Sequence, residues 1–213
     1  MKTRHEIIAA YIEYLREHGR PPLTVHRFCK ENGIEERAFF SDFASFNAVE
    51  SAFWEDVLAR VIGALESGAE WESFSARQRL LSFHFAFAEE SLNHRSLMLS
   101  RIAPLGALAR PASLRGLESR FKMFARDLIE HGMADGEIAG HGMVGALYPE
   151  ALYVHFRSVI EFQLKDESAR FERTDAFIEK SVGLAFDLLR PQALDSAFDL
   201  ARFLFAQRHG KAA

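Results

Sequence analysis

Cysteine is nearly absent: Cys29 stands alone in 213 residues, so no disulfide can form within the chain and a disulfide-stapled secreted scaffold is excluded. No stretch approaches 18 consecutive apolar residues, and without one there is no case for a membrane-spanning helix. The N-terminus, Met1-Lys2-Thr3-Arg4-His5-Glu6, runs straight into an amphipathic pattern and lacks the apolar run of a secretory signal. A cytoplasmic protein is therefore expected. Excess positive charge is missing as well. The formal net charge is −4, which argues against a protein that coats nucleic acid non-specifically and leaves room only for a local basic patch. No alternating apolar–polar run of useful length, no repeat and no low-complexity tract is present, so the expected fold class is all-α.

Phenylalanine is what the chain has in plenty, 20 copies against 4 tyrosines and 2 tryptophans, within a 48% apolar composition. Large apolar surfaces buried in a core, a pocket or an interface follow from that. Ile8, Tyr11, Ile12 and Leu15 recur at helical spacing and Gly19 closes the pattern. Arg20-Pro21-Pro22 is a stiff connector. Thr24 is a good N-cap for a short helix over Val25 to Glu31 that stops at Asn32-Gly33. A third short helix spans Glu35 to Phe43. Asn47 caps a long fourth helix with an apolar stripe through Trp54, Val57, Leu58, Val61, Ile62 and Leu65. Further helices are read over Ala76–Leu92, His94–Ile102, Pro111 to Gly132, Tyr148–Lys165, Thr174–Leu189 and Leu194–Gln207.

Three short helices before a long one, with a glycine in the second turn, is a helix-turn-helix order. Phe28-Cys29-Lys30-Glu31-Asn32-Gly33-Ile34 and Ala38-Phe39-Phe40-Ser41-Asp42-Phe43-Ala44-Ser45 resemble the second helix, turn and recognition helix of the TetR family of transcriptional regulators. Gly132-Met133-Ala134-Asp135-Gly136-Glu137-Ile138 is similar to the turn between that family's seventh and eighth helices. The resemblance implies a helix-turn-helix domain over residues 1–48 and a helical dimerisation and effector-binding domain over 49–213. It also implies a homodimer that binds double-stranded DNA under control of a small ligand.

The departures from the family pattern fall where DNA is read. Glu35 replaces the usual small capping Ser, Arg37 a Gly, Ala38 a Thr, Phe40 a Tyr, Asp42 a His and Phe46 a Lys. In residues 24–46, Arg27, Lys30 and Arg37 face Glu31, Glu35, Glu36 and Asp42, so the local charge is near neutral although phosphate contacts supply most DNA affinity. The candidate DNA-contacting set is Lys2, Arg4, Thr24, Arg27, Lys30, Arg37, Phe40 and Ser41, with Arg37 suited to a guanine edge. The alternative expectation is a TetR-fold protein that has lost DNA binding and serves as an apolar- or lipid-ligand-binding or scaffolding protein. The TetR fold is used without DNA in this way in a ubiquinone-biosynthesis accessory protein that binds isoprenoid-type lipid.

Other patterns carry less. Gly140-His141-Gly142-Met143-Val144-Gly145 fits G-x-G-x-x-G, but no βαβ context surrounds it. Glu90/His94 and Asp127/His131 sit one helical turn apart, and such pairs are usually ion pairs of a helix surface. No third ligand is evident, so no metal is expected. No nucleophile elbow, Cys–His motif or P-loop is present; no catalytic residue, no cofactor and no enzyme activity are expected, and Cys29 reads as a buried structural thiol. By the resemblance, Phe83, His84, Phe87, Phe121, Phe124, Tyr148, Tyr153, His155 and Phe156 lie on helices that line a ligand cavity. An apolar or aromatic ligand would suit them, unless they simply fill a core. Dimerisation is expected through Leu152, Val159, Ile160, Ile178, Val182, Phe186 and Leu189 of the last helix pair.

Overall fold

The computed structural model describes residues 2–140 and 145–190. Nine α-helices and no strand occur among these residues: α1 (Arg4–His18), α2 (Val25–Glu31), α3 (Glu36–Asp42), α4 (Phe46–Glu66), α5 (Ala76–Leu92), α6 (Arg95–Arg101), α7 (Arg115–Ala134), α8 (Tyr148–Lys165) and α9 (Glu172–Leu189). The expected helix Leu194–Gln207 and the middle of the Gly140–Gly145 motif lie outside the described residues.

Local chemistry sets the boundaries. Thr3 and Glu6 form a reciprocal capping box at the start of α1, and Gly19 ends it at φ 66°. Thr24 caps α2 by accepting from the Arg27 amide, and Gly33 turns the chain into α3 at φ 62°. Glu35 stands at the α3 N-cap without making a side-chain cap. Ser45, not Asn47, caps α4, because its hydroxyl accepts from the Ala48 amide. Ser75 and Gln78 box the start of α5. After α7, Glu137 and Ile138 both donate to the Gly132 carbonyl at 2.8 and 3.0 Å. Ile138 then folds back onto Gly132, where a Cβ would come within 2.7 Å of it.

The α8–α9 corner is held by charge. The Asp166 carboxylate accepts from the amides of Ser168 and Thr174 and from the Thr174 hydroxyl. Arg95, reaching from α6, donates to the carbonyls of Gln163, Leu164 and Asp166 at the end of α8 and lies 4.6 Å over the Phe171 ring. That anchoring holds Arg170 and Phe171 in the left-handed region, at φ 54° and 60°, a conformation that costs non-glycine residues energy.

Helices α1–α3 enclose an aromatic head core in which Phe28 and Phe39 meet Phe46 of α4 edge-on. The same α4 packs along α7 and α5 in the body. The boundary expected after residue 48 thus falls within the first turn of one continuous helix. Two contacts fix α4. Its Glu50 is fully buried and clasped by Arg101 of α6, with the nearest contact at 3.0 Å. One residue on, the Ser51 hydroxyl accepts from the Gly116 amide at 2.8 Å, and a Cβ on Gly116 would sit 2.2 Å from the Ser51 carbonyl oxygen. Only glycine lets α7 approach this closely. Gly116→Ala is expected to force the two helices apart and to lower unfolding free energy by about 1–3 kcal/mol, the usual cost of overpacking, in urea denaturation; an unchanged midpoint would refute the crossing.

Candidate functional site

The head presents α3 outward. Arg37, Phe40 and Ser41 are exposed on it, Phe40 at 51%, while Ala38 and Phe39 face the head core. Several of the candidate DNA-contacting groups already have partners. Arg27 binds Glu31 at 2.7 Å, Arg4 reaches Asp56 at 3.7 Å and stacks over Phe43, the Thr24 hydroxyl caps α2, and Ser41 donates to the Arg37 carbonyl. His26 of α2 meets Glu36 of α3 at 3.0 Å. Lys30 and Arg37 are exposed, and no ion pair engages either of them among the described residues. Lys2 is half-buried. The head therefore folds as a helix-turn-helix, and acidic neighbours offset much of its cationic charge.

In the body, α5, α7 and α8 bring together the aromatic residues singled out by sequence. Phe121 stacks on Phe156 at 4.7 Å, Phe83 on Phe124 at 4.8 Å, and Phe87 meets Phe156 edge-on at 4.8 Å. Tyr153 lies against Phe121 at 5.9 Å, and Tyr148, apart from the cluster's centre, donates to the Ala139 carbonyl. The rings are in mutual contact. In this conformation these side chains fill the body core, and a ligand among them would have to part them.

Two histidines interrupt this core. His84 is 1% exposed and neither ring nitrogen has a hydrogen-bond partner. His155 lies edge-on to it at 4.9 Å and uses Nε2 with the Ser181 hydroxyl at 2.8 Å, leaving Nδ1 bare. Burial, and secondarily the neighbouring His155, holds His84 well below the usual imidazole range, and burial brings His155 down to about 4. At the outer end of the cluster Arg110 and Lys122 lie over the Tyr153 ring and share the carboxylates of Glu118 and Glu150.

The expected acid–histidine pairs divide. Glu90 and His94 do meet, at 3.2 Å. His131 turns away from Asp127 to Asp135 at 3.3 Å and to the Phe74 carbonyl. No group of three or more candidate metal ligands occurs among the described residues, and no helix there is long and apolar enough to cross a membrane. Cys29 is buried, and burial raises its thiol.

A family description, "Tetracyclin repressor-like, C-terminal domain", matches residues 79–204, more than half of the chain. The chain belongs to this TetR-like family. Solved structures agree on the fold. The fatty acid degradation regulator FadR from Bacillus halodurans superposes with a TM-score of 0.62 at 14% identity, covering 88% of this chain and 100% of that one. FadR from Bacillus subtilis, solved in complex with stearoyl-CoA, gives 0.61 at 13% identity over 86% and 98%. A tetR-family regulatory protein from Rhodococcus RHA1 gives 0.50 at 18% identity over 89% and 98%. No curated protein matches the sequence.

One assignment made on the TetR plan needs correcting. Leu152, Val159, Ile160, Ile178, Val182, Phe186 and Leu189 are all buried within the chain itself; they join α8 and α9 to the body core and do not present a surface to a partner. The outward face of the same two helices carries Ala151, Ser158 and Phe162 on α8, then Phe177, Ser181, Leu184 and Leu188 on α9, with Leu184 and Leu188 about three-fifths exposed. Sequence reading passed over this stripe, although Phe177, Leu184 and Leu188 recur at spacings of seven and four.

Because both buried histidines favour the neutral ring, their contribution to stability is complete above the free imidazole value of 6.5 and is lost as pH falls from there towards about 4. Replacing His84 by Leu removes two unpartnered polar atoms. The variant is expected to be at least as stable as the parent at pH 7.5 and to unfold less steeply between pH 6.5 and 4. A clear loss of stability at pH 7.5 in thermal melts would show that the imidazole has a partner.

Proposed function

We propose that this TetR-like chain is a homodimeric transcriptional regulator, acting in the cytoplasm by binding and not by catalysis, whose head meets double-stranded DNA and whose body answers a small apolar ligand. The observation that carries the DNA reading is the preserved head. α3 is packed from one side by Ala38 and Phe39 and leaves Arg37, Phe40 and Ser41 outward together, the geometry by which a recognition helix enters a major groove. Phe40 supplies apolar contact where the family's usual Tyr would add a hydroxyl, and Lys30 and Arg37 are the phosphate and base-edge candidates. With few cations engaged, binding should weaken only modestly with salt, since the salt slope follows the number of phosphates neutralised.

Fluorescence anisotropy with labelled fragments from the chain's own upstream region tests this. Arg37→Ala is expected to cost about 1–3 kcal/mol and to relax sequence preference at one base pair. No binding at low salt by a folded dimer would remove the DNA role. The paired cations of the head, Arg27 with Glu31 and Arg4 with Asp56, favour the second reading in that event, a ligand-binding protein that has kept the head as a folding unit.

Two features support the rest. The body's aromatic cluster, with His84 and His155 as its few polar groups, matches the make-up of an apolar ligand site, and one solved neighbour of this fold holds stearoyl-CoA. The outward stripe of α8 and α9 suits pairing with its two-fold copy into a four-helix bundle: small residues in its middle allow close approach, and phenylalanine and leucine flank them. The double variant Leu184→Glu with Leu188→Glu is expected to sediment as a folded monomer where the parent is a dimer. Glutamates that leave the dimer intact would place the interface elsewhere.

A further inference from the structure

The head touches the body at a second place besides α4, and a histidine makes the joint. His94 occupies the turn between α5 and α6 and is 9% exposed. Its Nδ1 lies 3.3 Å from a guanidinium nitrogen of Arg16 in α1, and its Nε2 lies 3.2 Å from the Glu90 carboxylate in α5. The rings of Phe53 and Trp54 in α4 meet the imidazole edge-on at 5.2 and 6.1 Å. Glu90 is itself held by Arg60 of α4 at 3.3 Å and by Asn93 at 3.0 Å. One imidazole thus joins α1, α4 and α5.

The partners dictate where its proton sits. A guanidinium can only donate, so Nδ1 must be the bare, accepting nitrogen; a carboxylate can only accept, so Nε2 must carry the hydrogen. The neutral ring satisfies both ends with one tautomer. A second proton can go only to Nδ1, where it takes the lone pair that Arg16 uses. The ring then presents a donor and a positive charge to a group that is itself a cationic donor. The charged groups around it are Arg16 from α1, Arg60 from α4 and Glu90 from α5: two cations repel the imidazolium and one carboxylate attracts it. The Arg16 contact must break, while the Glu90 contact survives and strengthens.

We propose that His94 is a proton-operated latch between the head and the effector body: with Nδ1 bare it holds α1 through Arg16, and with Nδ1 protonated it lets α1 go while remaining tied to Glu90. Released, α1 keeps its contacts with α4 and loses its side-chain tie to the α5–α6 turn, so this joint between head and body loosens as the pH falls below the free imidazole value. The latch is a property of this chain's head–body joint and stands whether or not the head reads DNA.

Trp54 reports the event directly, because an imidazolium beside an indole quenches its emission. In a Trp71→Phe background, Trp54 emission is expected to fall with a single midpoint below pH 6.5, the free imidazole value, and His94→Gln is expected to abolish the titration. Glutamine can accept from Arg16 and donate to Glu90 but cannot be protonated. Emission that stays flat from pH 8 down to the onset of acid unfolding, or a titration that survives His94→Gln, would overturn the latch. With both tryptophans intact, Arg16→Met gives an independent answer. It should lower the melting temperature at pH 7.5 and leave it unchanged or raised at a pH below the Trp54 midpoint, and this pH dependence should vanish when His94→Gln is also present. An equal loss at both pH values, or a pH dependence that persists with His94→Gln, would mean that Arg16 is structural and that no latch operates.

Discussion

The constraint on which the remainder of this molecule depends is that one helix must serve two cores. The first turns of α4 belong to the head, where Phe46 is wedged between Phe28 and Phe39 and stacks on Tyr11 at 5.1 Å. Within two turns the same helix crosses α7 so closely that Gly116 has no room for a side chain and uses its amide to bind Ser51. Between these lies Glu50, removed from water and held by Arg101 of α6. A buried carboxylate is tolerated only with a partner in place, so Glu50 also obliges α6 to stay against α4. Head and body are therefore not two beads on a linker. The angle of the head follows from where α6 and α7 sit, and both helices border the body's aromatic core.

The charge pattern of the head adds a second constraint. Pairs such as Arg27–Glu31 and Arg4–Asp56 lie at the surface, where an ion pair contributes about 0–1 kcal/mol, so they do little for stability. Their larger effect is on the field: the carboxylates beside Arg27 and Arg4 offset much of the head's positive charge, leaving Lys30 and Arg37 outside any ion pair among the described residues, and long-range steering is correspondingly weak. Any nucleic-acid contact made by this head would rest on Lys30, Arg37 and Phe40 more than on general attraction.

Most of the architecture was legible in the sequence because helix signals are local. Thr24, Gly19 and Gly33 mark the ends they were expected to mark, and the stripes on α4 and α8 name residues that are buried, Leu65 at the end of α4 only partly. The family likeness was readable for the same reason, through the short stretch from Phe28 to Ser45 and the turn at Gly132. What could not be read is which way an apolar stripe faces. On α8 and α9 the more hydrophobic stripe, Leu152 to Ile160 and Ile178 to Leu189, was assigned to a partner. The chain keeps it for its own core, since that is where continuous apolar surface is most needed. The weaker stripe, diluted by Ala151, Ser158 and Ser181, is left outside. Periodicity gives both faces and ranks neither against a surface it cannot see. The joints of the molecule were hidden in the same way: Glu50 with Arg101 and Arg16 with His94 are 51 and 78 residues apart, and nothing local announces them.

The body core raises a question of economy that stability alone does not answer. Leucine at position 84 would fill similar space without leaving two ring nitrogens unpaired, a deficit of about 1–3 kcal/mol for each buried polar atom. His155 repeats the conflict a few ångströms away with its bare Nδ1. Where local chemistry opposes the global fold in this manner, the conflict tends to mark a functional position, because a site must leave some of its valences open for what it receives. The histidines stand among rings that already touch, so under the proposed ligand reading a guest would have to open its own space there. Parting the α5, α7 and α8 aromatics would be resisted by their packing and assisted by every hydrogen bond a guest makes to His84 or His155. Since α7 carries Gly116 at its head-facing end, the movement that admits such a guest would also bear on Ser51 and hence on α4.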